Sequence, residues 1–323
     1  MLPEHIQTFL AHPDAYLSER AQWYAANPYL KHVHPEGLIQ REQDLLGNLW
    51  TTDDVAAVAR IYEPGRREFM FTRLVDLNQE KHRRGERDQS VSIDEAELRA
   101  AAAATYRPPR LAEPLPELMP GGLVRFSKRG FLEETLRRGR LRIAPAAIYA
   151  DSSLNAAQID DELRHRTVTP HEHLMVRMWG SETLGGPEKE IAHKPLELFR
   201  YMHVRPFYVL CLSDRFNFRM FHDFEADAAL LIHAGAEFQR RLQAAVAAQL
   251  EADCAIAPVY YYDPYTIRRK GLVPGFSKHF RYVYQNEVRI IWTPRVEAAL
   301  EPFFVDLGDL SDIAEMVTLQ FSQ

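Results

Sequence analysis

The chain has 323 residues, of which 46% are hydrophobic and 26% charged, a balance typical of folded globular proteins with a sizeable core. Its net charge of -6, from 39 Lys and Arg against 45 Asp and Glu, excludes a global positive field that would attract nucleic acid or an anionic membrane. No apolar run reaches the ~20 residues that span a bilayer, and the charged opening segment is unlike a secretion signal. We therefore expect a cytoplasmic protein without a membrane partner.

The two cysteines do not indicate a disulfide framework or a structural zinc site. Two cysteines, Cys211 and Cys254, are too few for a disulfide framework in a chain of this length, and they lack the CxxC spacing of zinc ribbons. We expect no redox or structural zinc role for them.

Residues 1–106 have the periodicity of helices. Apolar residues recur at intervals of three and four in AYLSERAQWYAA and again in REFMFTRLVDLNQ, a pattern typical of amphipathic helices. The charged run EKHRRGERDQS that follows is interpreted as an exposed turn, with a phosphate-binding patch as the less favoured alternative. This part of the chain is predicted to be an all-helical accessory region.

Residues 107–122 form a predicted linker. The segment RPPRLAEPLPELMPGG contains five prolines and ends in two glycines, a composition that disfavours both helix interiors and central strands.

Residues 123–323 are predicted to be an α+β domain. Short β-branched and aromatic segments, such as LVRF, FYVLCLS and NEVRIIW, predict strands of a mainly antiparallel sheet. The segments RGFLEETLRRG and AEFQRRLQAAVAAQLEA predict inserted helices, and the alanine-rich face of the second is expected to be core or the surface of a homodimer. The absence of GxGxxG and GxxxxGK[ST] argues against dinucleotide-binding folds and P-loops.

Three strands carry polar residues where apolar ones are expected. Arg125 lies in LVRF, and an arginine there needs an anionic partner, either a structural ion pair, which is favoured, or a ligand phosphate or ribose. Ser213 ends FYVLCLS, where a turn or cap role is usual. In YQNEVRIIW, alternation places Gln285, Glu287 and Arg289 on one face; an exposed face or a weak Glu–Arg pair is the alternative to a binding site.

The order of these residues resembles the Arg–Ser–Glu arrangement of the ADP-ribosyltransferase fold. The resemblance implies a core of two small antiparallel sheets with NAD in the cleft between them. Arg125 would bind the phosphate or ribose side of NAD, Ser213 would support the nicotinamide pocket, Glu287 would contact the nicotinamide ribose, and Gln285 would help to present an acceptor. Segments such as YADSSLNAAQIDDEL are also similar to an uncharacterised family of bacterial proteins defined by sequence alone, which carries no established activity.

Further candidates surround these residues. The aromatic residues that could stack on nicotinamide or adenine, or belong to the core, are Phe126, Phe131, Tyr149 and Phe216. The basic residues of a predicted patch for NAD phosphates or a nucleic-acid acceptor, or of a solvated loop, are Arg268, Arg269, Lys278 and Arg281. The acidic residues Asp160–Glu162, with His165, His171 and His173 nearby, allow a divalent metal, but a helix N-terminus enriched in acids is favoured, and no metal is expected.

Two functions from different classes are consistent with these patterns. The first is an NAD-consuming enzyme, an ADP-ribosyltransferase or NAD glycohydrolase, acting as a bacterial toxin or phage-defence factor on a protein or nucleic-acid acceptor. Cleaving the nicotinamide–ribose bond passes through an oxocarbenium-like state, which the carboxylate of Glu287 would stabilise. The alternative is a non-catalytic protein that binds a nucleotide or a partner. A metal-dependent nuclease is a weaker third hypothesis.

Overall fold

The structure, a computed structural model, describes residues 3–49, 64–86, 110–150, 164–168, 177–178, 189–190, 197–201, 205–266, 272–296 and 299–320. The protein is α+β, as the sequence predicts: helices come first along the chain and a mostly antiparallel sheet follows.

The helical region packs around its own apolar core. Its helices are α1 (Glu4–Ala11), α2 (Pro13–Ala26), α3 (Pro35–Leu46) and α4 (Pro64–Arg83). Both α2 and α3 have a proline in the first turn, where its missing N–H removes no helical hydrogen bond. The buried residues of this core are Phe9, Tyr24, Leu30, Leu38, Leu45, Leu49, Met70, Phe71, Leu74, Leu77 and Phe280. Because Phe280 belongs to the second part of the chain, the two parts share this core.

The charged run after residue 79 does not begin as an exposed turn. Helix α4 continues to Arg83, and the side chain of Glu80 is completely buried. Glu80 accepts a hydrogen bond of 2.8 Å from the Tyr24 hydroxyl and forms ion pairs with Arg83 and Arg84. Their donors satisfy the buried carboxylate, so the prediction of an exposed turn is wrong for residues 80–83.

The proline-rich segment runs along the edge of the sheet. Leu111 forms an isolated antiparallel bridge with Leu319, and Leu115 and Leu118 pack against the core beside it.

The second part of the chain contains the sheet. Its helices are α5 (Arg129–Arg138), α6 (Arg219–Asp223) and α7 (Gly235–Ala247). Its strands are β1 (Leu123–Ser127), β2 (Arg140–Pro145), β3 (Arg164–Val168), β4 (Arg177–Met178), β5 (Lys189–Glu190), β6 (Glu197–Tyr201), β7 (Tyr208–Ser213), β8 (Ala228–Ile232), β9 (Ala252–Pro258), β10 (Tyr260–Tyr262), β11 (Ser277–His279), β12 (Glu287–Pro294), β13 (Phe303–Asp306) and β14 (Ala314–Thr318).

The main sheet has the strand order β13-β2-β7-β1-β8-β14, with β12 pairing β7 and β9. Three separate pairs complete the described strands: β3 with β6, β4 with β5, and β10 with β11 in parallel. Leu132 of α5 and Phe238 and Leu242 of α7 are completely buried in the large core on one face of the main sheet. Among the described helices, none is both long and apolar enough to span a bilayer.

Strand β7 is the point at which the sheet branches. One edge of β7 pairs along its whole length with β12. On the other edge, β2 pairs only with Tyr208 and Val209, and β1 pairs only with Ser213. Strands β1 and β2 therefore diverge and leave a gap beside residues 210–212. The strands that were predicted to form two sheets are connected through β7 in one branched sheet.

Candidate functional site

A cleft opens where β1 and β2 diverge from β7. It encloses about 200 Å³, and the strand β7 forms its floor. The residues that line it are Val124, Arg125, Phe126, Ser127, Arg142, Tyr149, Leu210, Cys211, Leu212, Ser213, Met220, Phe224, Lys278, Gln285 and Glu287. The structure thus brings together most of the site residues nominated from the sequence, although they come from distant parts of the chain.

Arg125, a half-buried residue of β1, lines the cleft. Burial lowers the pKa of this group, and Tyr149 and Cys211 only partly oppose that effect. No carboxylate among the described residues forms an ion pair with Arg125. The structural ion pair that the sequence favoured is therefore not found in the described part of the chain, and Arg125 is one of the residues that line the cleft.

Glu287 lies on the opposite side, between two cations. Its carboxylate oxygens are 3.0 Å from Lys278 Nζ and 2.6 Å from Arg289 Nε, and the side chains of Glu287 and Arg289 are 5% and 0% exposed. Burial by itself would raise the pKa of Glu287, but Arg289 and Lys278 outweigh burial and hold the pKa well below its usual range. Glu287 is therefore ionised at neutral pH. The alternative of an exposed face on this strand is wrong, whereas the alternative of a Glu–Arg pair is present as Glu287–Arg289.

Gln285 reaches the cleft through a turn and not along a strand. The segment Phe280–Gln285 is a 3₁₀ helix, and strand β12 begins only at Glu287. Between them Asn286 has φ 45° and ψ 49°, the left-handed region that asparagine tolerates better than most residues. The prediction that Gln285 and Glu287 share one strand face by alternation is wrong, because the left-handed residue interrupts the alternation.

Ser213 ties the end of β7 to this turn. Its hydroxyl oxygen is 2.7 Å from the carbonyl oxygens of both Gln285 and Arg215, and the single hydroxyl proton can be donated to one of them at a time. The side chain is buried. Ser213 therefore supports the turn that carries Gln285, and this contact engages its hydroxyl.

The register places the two charged groups on different faces of the sheet. Ser213 pairs with both Val124 and Glu287, and directly paired residues point to the same face. Arg125 follows Val124 and therefore points to the other face. Both Arg125 and Glu287 line one cleft because the gap between β1 and β2 opens the sheet at this position.

The predicted aromatic residues divide between the cleft and the core. Phe126 lines the cleft, and its ring centroid is 5.4 Å from that of Phe216 in the cluster behind it. Tyr149 also lines the cleft, and burial raises the pKa of its hydroxyl. Phe131 is 70% exposed on α5 and does not line the cleft, so its nomination as a stacking residue is not supported by its position.

The predicted basic patch is also divided. Lys278 is buried in the cleft against Glu287. Arg281 is exposed, donates a hydrogen bond of 2.7 Å to the Tyr282 hydroxyl and does not line the cleft. Arg268 and Arg269 lie outside the described residues. Lys278 and Arg281 therefore do not form one surface patch.

Among the residues that line the cleft, Arg142 and Cys211 were not nominated from the sequence. Arg142 lies in β2 between the buried residues Leu141 and Ile143, the same pattern that singled out Arg125. Cys211 lies at the centre of β7, where its thiol hydrogen-bonds to Glu287. A free cysteine in an apolar strand has no distinguishing pattern, so no sequence signal marked it.

The described residues contain no group of three or more His, Cys, Asp or Glu side chains placed to hold a metal ion. The acidic candidates Asp160–Glu162 and the histidines His171 and His173 lie outside the described residues. His165 lies in strand β3.

Comparison of this chain with protein-family models, curated proteins and solved structures gave no match. The functional assignment therefore depends on the geometry of the cleft.

Proposed function

We propose that the cleft binds a ligand with a diphosphate group and that the protein is an NAD-consuming enzyme, an ADP-ribosyltransferase or NAD glycohydrolase. The observation that carries this proposal is the placement of Arg125 and Glu287, from distant strands, in one cleft whose floor ends at Ser213. This placement is consistent with the resemblance to an ADP-ribosyltransferase-like core.

The charges of the cleft favour an anionic ligand. Among the described residues, its lining contains the cations Arg125, Arg142 and Lys278 and one carboxylate, Glu287. The planar donors of Arg125 suit the paired oxygens of a phosphate. The hydrogen bonds of a guanidinium to phosphate are charge-assisted, so this side of the cleft would hold the diphosphate of NAD.

The carboxylate of Glu287 would act on the nicotinamide ribose. When the bond between ribose C1′ and the nicotinamide nitrogen breaks, its electron pair goes to the nitrogen, and nicotinamide leaves as a neutral molecule. Positive charge develops on the ribose, and an ionised carboxylate nearby stabilises it. Water or an acceptor hydroxyl then attacks C1′ and loses its proton, which yields ADP-ribose or an ADP-ribosylated acceptor.

In the absence of ligand, Lys278 would weaken the ability of the Glu287 carboxylate to stabilise positive charge. Its ammonium is 3.0 Å from Glu287 and reduces the negative field of the carboxylate. The phosphates of a bound ligand would offer Lys278 a second anionic partner and leave more of the Glu287 charge for the ribose. Arg289, which is completely buried, would continue to hold the carboxylate in place.

The proposal predicts nicotinamide release that depends on Glu287. The purified chain is incubated with NAD, alone and with protein or nucleic-acid acceptors, and nicotinamide is quantified by chromatography. Glu287→Gln should lower the rate by a few hundred-fold or more, since one preorganised electrostatic group contributes on the order of 3–4 kcal/mol to the barrier.

The matched control is Glu315→Gln. Glu315 is a half-exposed carboxylate on β14 that pairs with His233, and its replacement should leave the rate unchanged. Binding of ADP-ribose by the Glu287→Gln variant confirms that the variant is folded. Absence of nicotinamide release under all conditions, or equal release by wild type and Glu287→Gln, would contradict the proposal.

The second candidate is a nucleotide-binding protein without turnover. It is favoured by one observation, the neutralisation of Glu287 by Lys278 and Arg289, which is also the arrangement of a structural ion-pair cluster. In this case NAD and ADP-ribose should raise the melting temperature without nicotinamide release. A ligand at 100 times its Kd would add about 2.7 kcal/mol to the free energy of unfolding.

A further inference from the structure

The helical region contacts the backbone of the turn that precedes Glu287. Asn48 follows α3, and its side-chain amide donates a hydrogen bond of 2.9 Å to the carbonyl oxygen of Arg281. The side-chain oxygen of the same residue accepts a hydrogen bond of 3.2 Å from the backbone N–H of Tyr284. Asn48 is 5% exposed. Both polar ends of this buried side chain therefore hold the segment Phe280–Gln285.

A second residue of the helical region holds Asn286. Arg66, in the first turn of α4, donates a hydrogen bond to the side-chain oxygen of Asn286. The side-chain amide of Asn286 donates a hydrogen bond of 3.0 Å to the carbonyl oxygen of Tyr284. A non-glycine residue in the left-handed region persists when its surroundings hold it there. Arg66 is one of the groups that do so.

A third contact reaches the strand pair that carries Lys278. The guanidinium of Arg41 in α3 donates hydrogen bonds of 2.9 and 2.7 Å to the carboxylate of Asp263. Asp263 directly follows β10, whose parallel partner β11 contains Lys278. In β10, the Tyr261 hydroxyl accepts a hydrogen bond of 2.8 Å from the backbone N–H of Glu287. The helical region thus touches both segments that hold the Lys278–Glu287 pair.

We infer that the helical region is a positioning element of the cleft, in which Asn48 and Arg66 set the Gln285–Asn286–Glu287 turn. The consequence for catalysis rests on the proposed function, whereas the placement of the turn does not. Without these contacts, Asn286 loses a partner that holds its left-handed backbone, and the turn that precedes Glu287 is held less firmly beside Cys211.

The thiol of Cys211 reports the position of the turn without any ligand. In a Cys254→Ser background, Cys211 is the remaining cysteine of the two in the chain. It lines the cleft and hydrogen-bonds to Glu287, so displacement of the turn exposes it. Arg66→Gln and Asn48→Ala should each raise its alkylation rate by iodoacetamide about fivefold or more, because local opening would become more frequent.

The matched control is Arg83→Gln. Arg83 lies on the same helix as Arg66 and pairs with Glu80 of that helix, so its replacement should leave the alkylation rate unchanged. Arg66→Lys, which keeps a cationic donor, should restore part of the protection. Alkylation is measured well below the melting temperature of each variant.

Parental alkylation rates in both Arg66→Gln and Asn48→Ala would overturn the inference. Equal acceleration by Arg83→Gln would also overturn it, since the effect would then be a general loss of stability. Where nicotinamide is released, Arg66→Gln should lower kcat and leave the Kd of ADP-ribose nearly unchanged, because the Arg125 side is untouched. A parent that releases no nicotinamide contradicts the proposed function alone, and the alkylation rates still decide whether the turn is positioned in this way.

Discussion

Arg125 and Arg289 stand on opposite sides of the same region and differ in their partners. Arg289 is completely buried, contacts Glu287 at 2.6 Å and donates a hydrogen bond of 2.7 Å to the carbonyl oxygen of Gly275. Arg125 is half-buried and has no carboxylate partner among the described residues. In the proposed function, the difference separates a cation that holds the fold from a cation that would contact the ligand.

The largest expected effect is the loss of stability on replacing Arg289, the arginine that is paired with Glu287. Arg289→Met removes one partner of a buried ion pair and leaves Glu287 with Lys278 alone. Such a change costs about 3–5 kcal/mol, so the free energy of unfolding measured with urea should fall by that amount. The control is Arg295→Met, because Arg295 forms exposed ion pairs with Glu251 and Asp253 just after β12, and exposed ion pairs contribute little to stability. If Arg289→Met and Arg295→Met lowered the free energy of unfolding equally, Arg289 would be no more important for the fold than an exposed arginine.

The next effect comes from Arg125, which has no carboxylate partner in the part of the chain that the structure describes. Arg125→Met should leave the free energy of unfolding unchanged or slightly higher, because it removes a cation that burial disfavours. Its affinity for ADP-ribose, measured by calorimetry, should fall about 10- to 100-fold, since hydrogen bonds to charged groups contribute about 1.5–3 kcal/mol. Arg129→Met, which removes an exposed arginine paired with Glu133 on α5, should bind normally. Destabilisation of Arg125→Met as large as that of Arg289→Met would show that Arg125 is structural.

The smallest expected effect is on the free energy of unfolding at acidic pH. The folded-state pKa of Glu287 is lowered, so Glu287 contributes stability above its ordinary unfolded-state pKa of about 4.3, and this contribution is lost as the pH falls through the folded-state value. Lys278→Met removes one of the two cations that lower this pKa, and the loss should therefore begin at higher pH. Each unit of upward shift corresponds to about 1.4 kcal/mol.

Urea unfolding between neutral pH and about pH 3 measures this shift. Lys81→Met serves as the control, because Lys81 pairs with the partly exposed Glu42 in the helical region. Asp263 is a second buried carboxylate, and Arg41 lowers its pKa to about 2 against the effect of burial. Because none of these variants changes Asp263, its contribution to the acid dependence is the same in each of them. Acid dependence in Lys278→Met identical to that of the wild type would mean that Lys278 does not influence Glu287.

The local elements could be predicted from the sequence. The segments LVRF, FYVLCLS and NEVRIIW lie in β1, β7 and β12, because short apolar runs with β-branched and aromatic residues suit a pleated, buried surface. The helix signals in RGFLEETLRRG and AEFQRRLQAAVAAQLEA correspond to α5 and α7. Polar residues within those apolar strands were sufficient to select Arg125 and Glu287.

The partners of those residues could not be predicted. The sequence predicts Lys278 in a basic patch or a solvated loop, and only the parallel pairing of β10 with β11 places it beside Glu287. The alternation rule failed at Gln285, because the backbone of Asn286 is left-handed. Glu80 was expected in an exposed turn, and only packing against Tyr24 explains why it is buried. In each case the deciding contact joins residues that are distant in sequence or depends on backbone geometry.

The sequence by itself determined the α+β class, the elements and the residues that carry the charges of the cleft, because these follow from local periodicity and composition. Only the tertiary structure decided which charges are paired. The divergence of β1 and β2 from β7 opens the cleft at Arg125, and the helical region contacts the turn before Glu287. The free energy of a charge inside a protein depends on its neighbours in space, and those neighbours come from segments that local patterns do not connect.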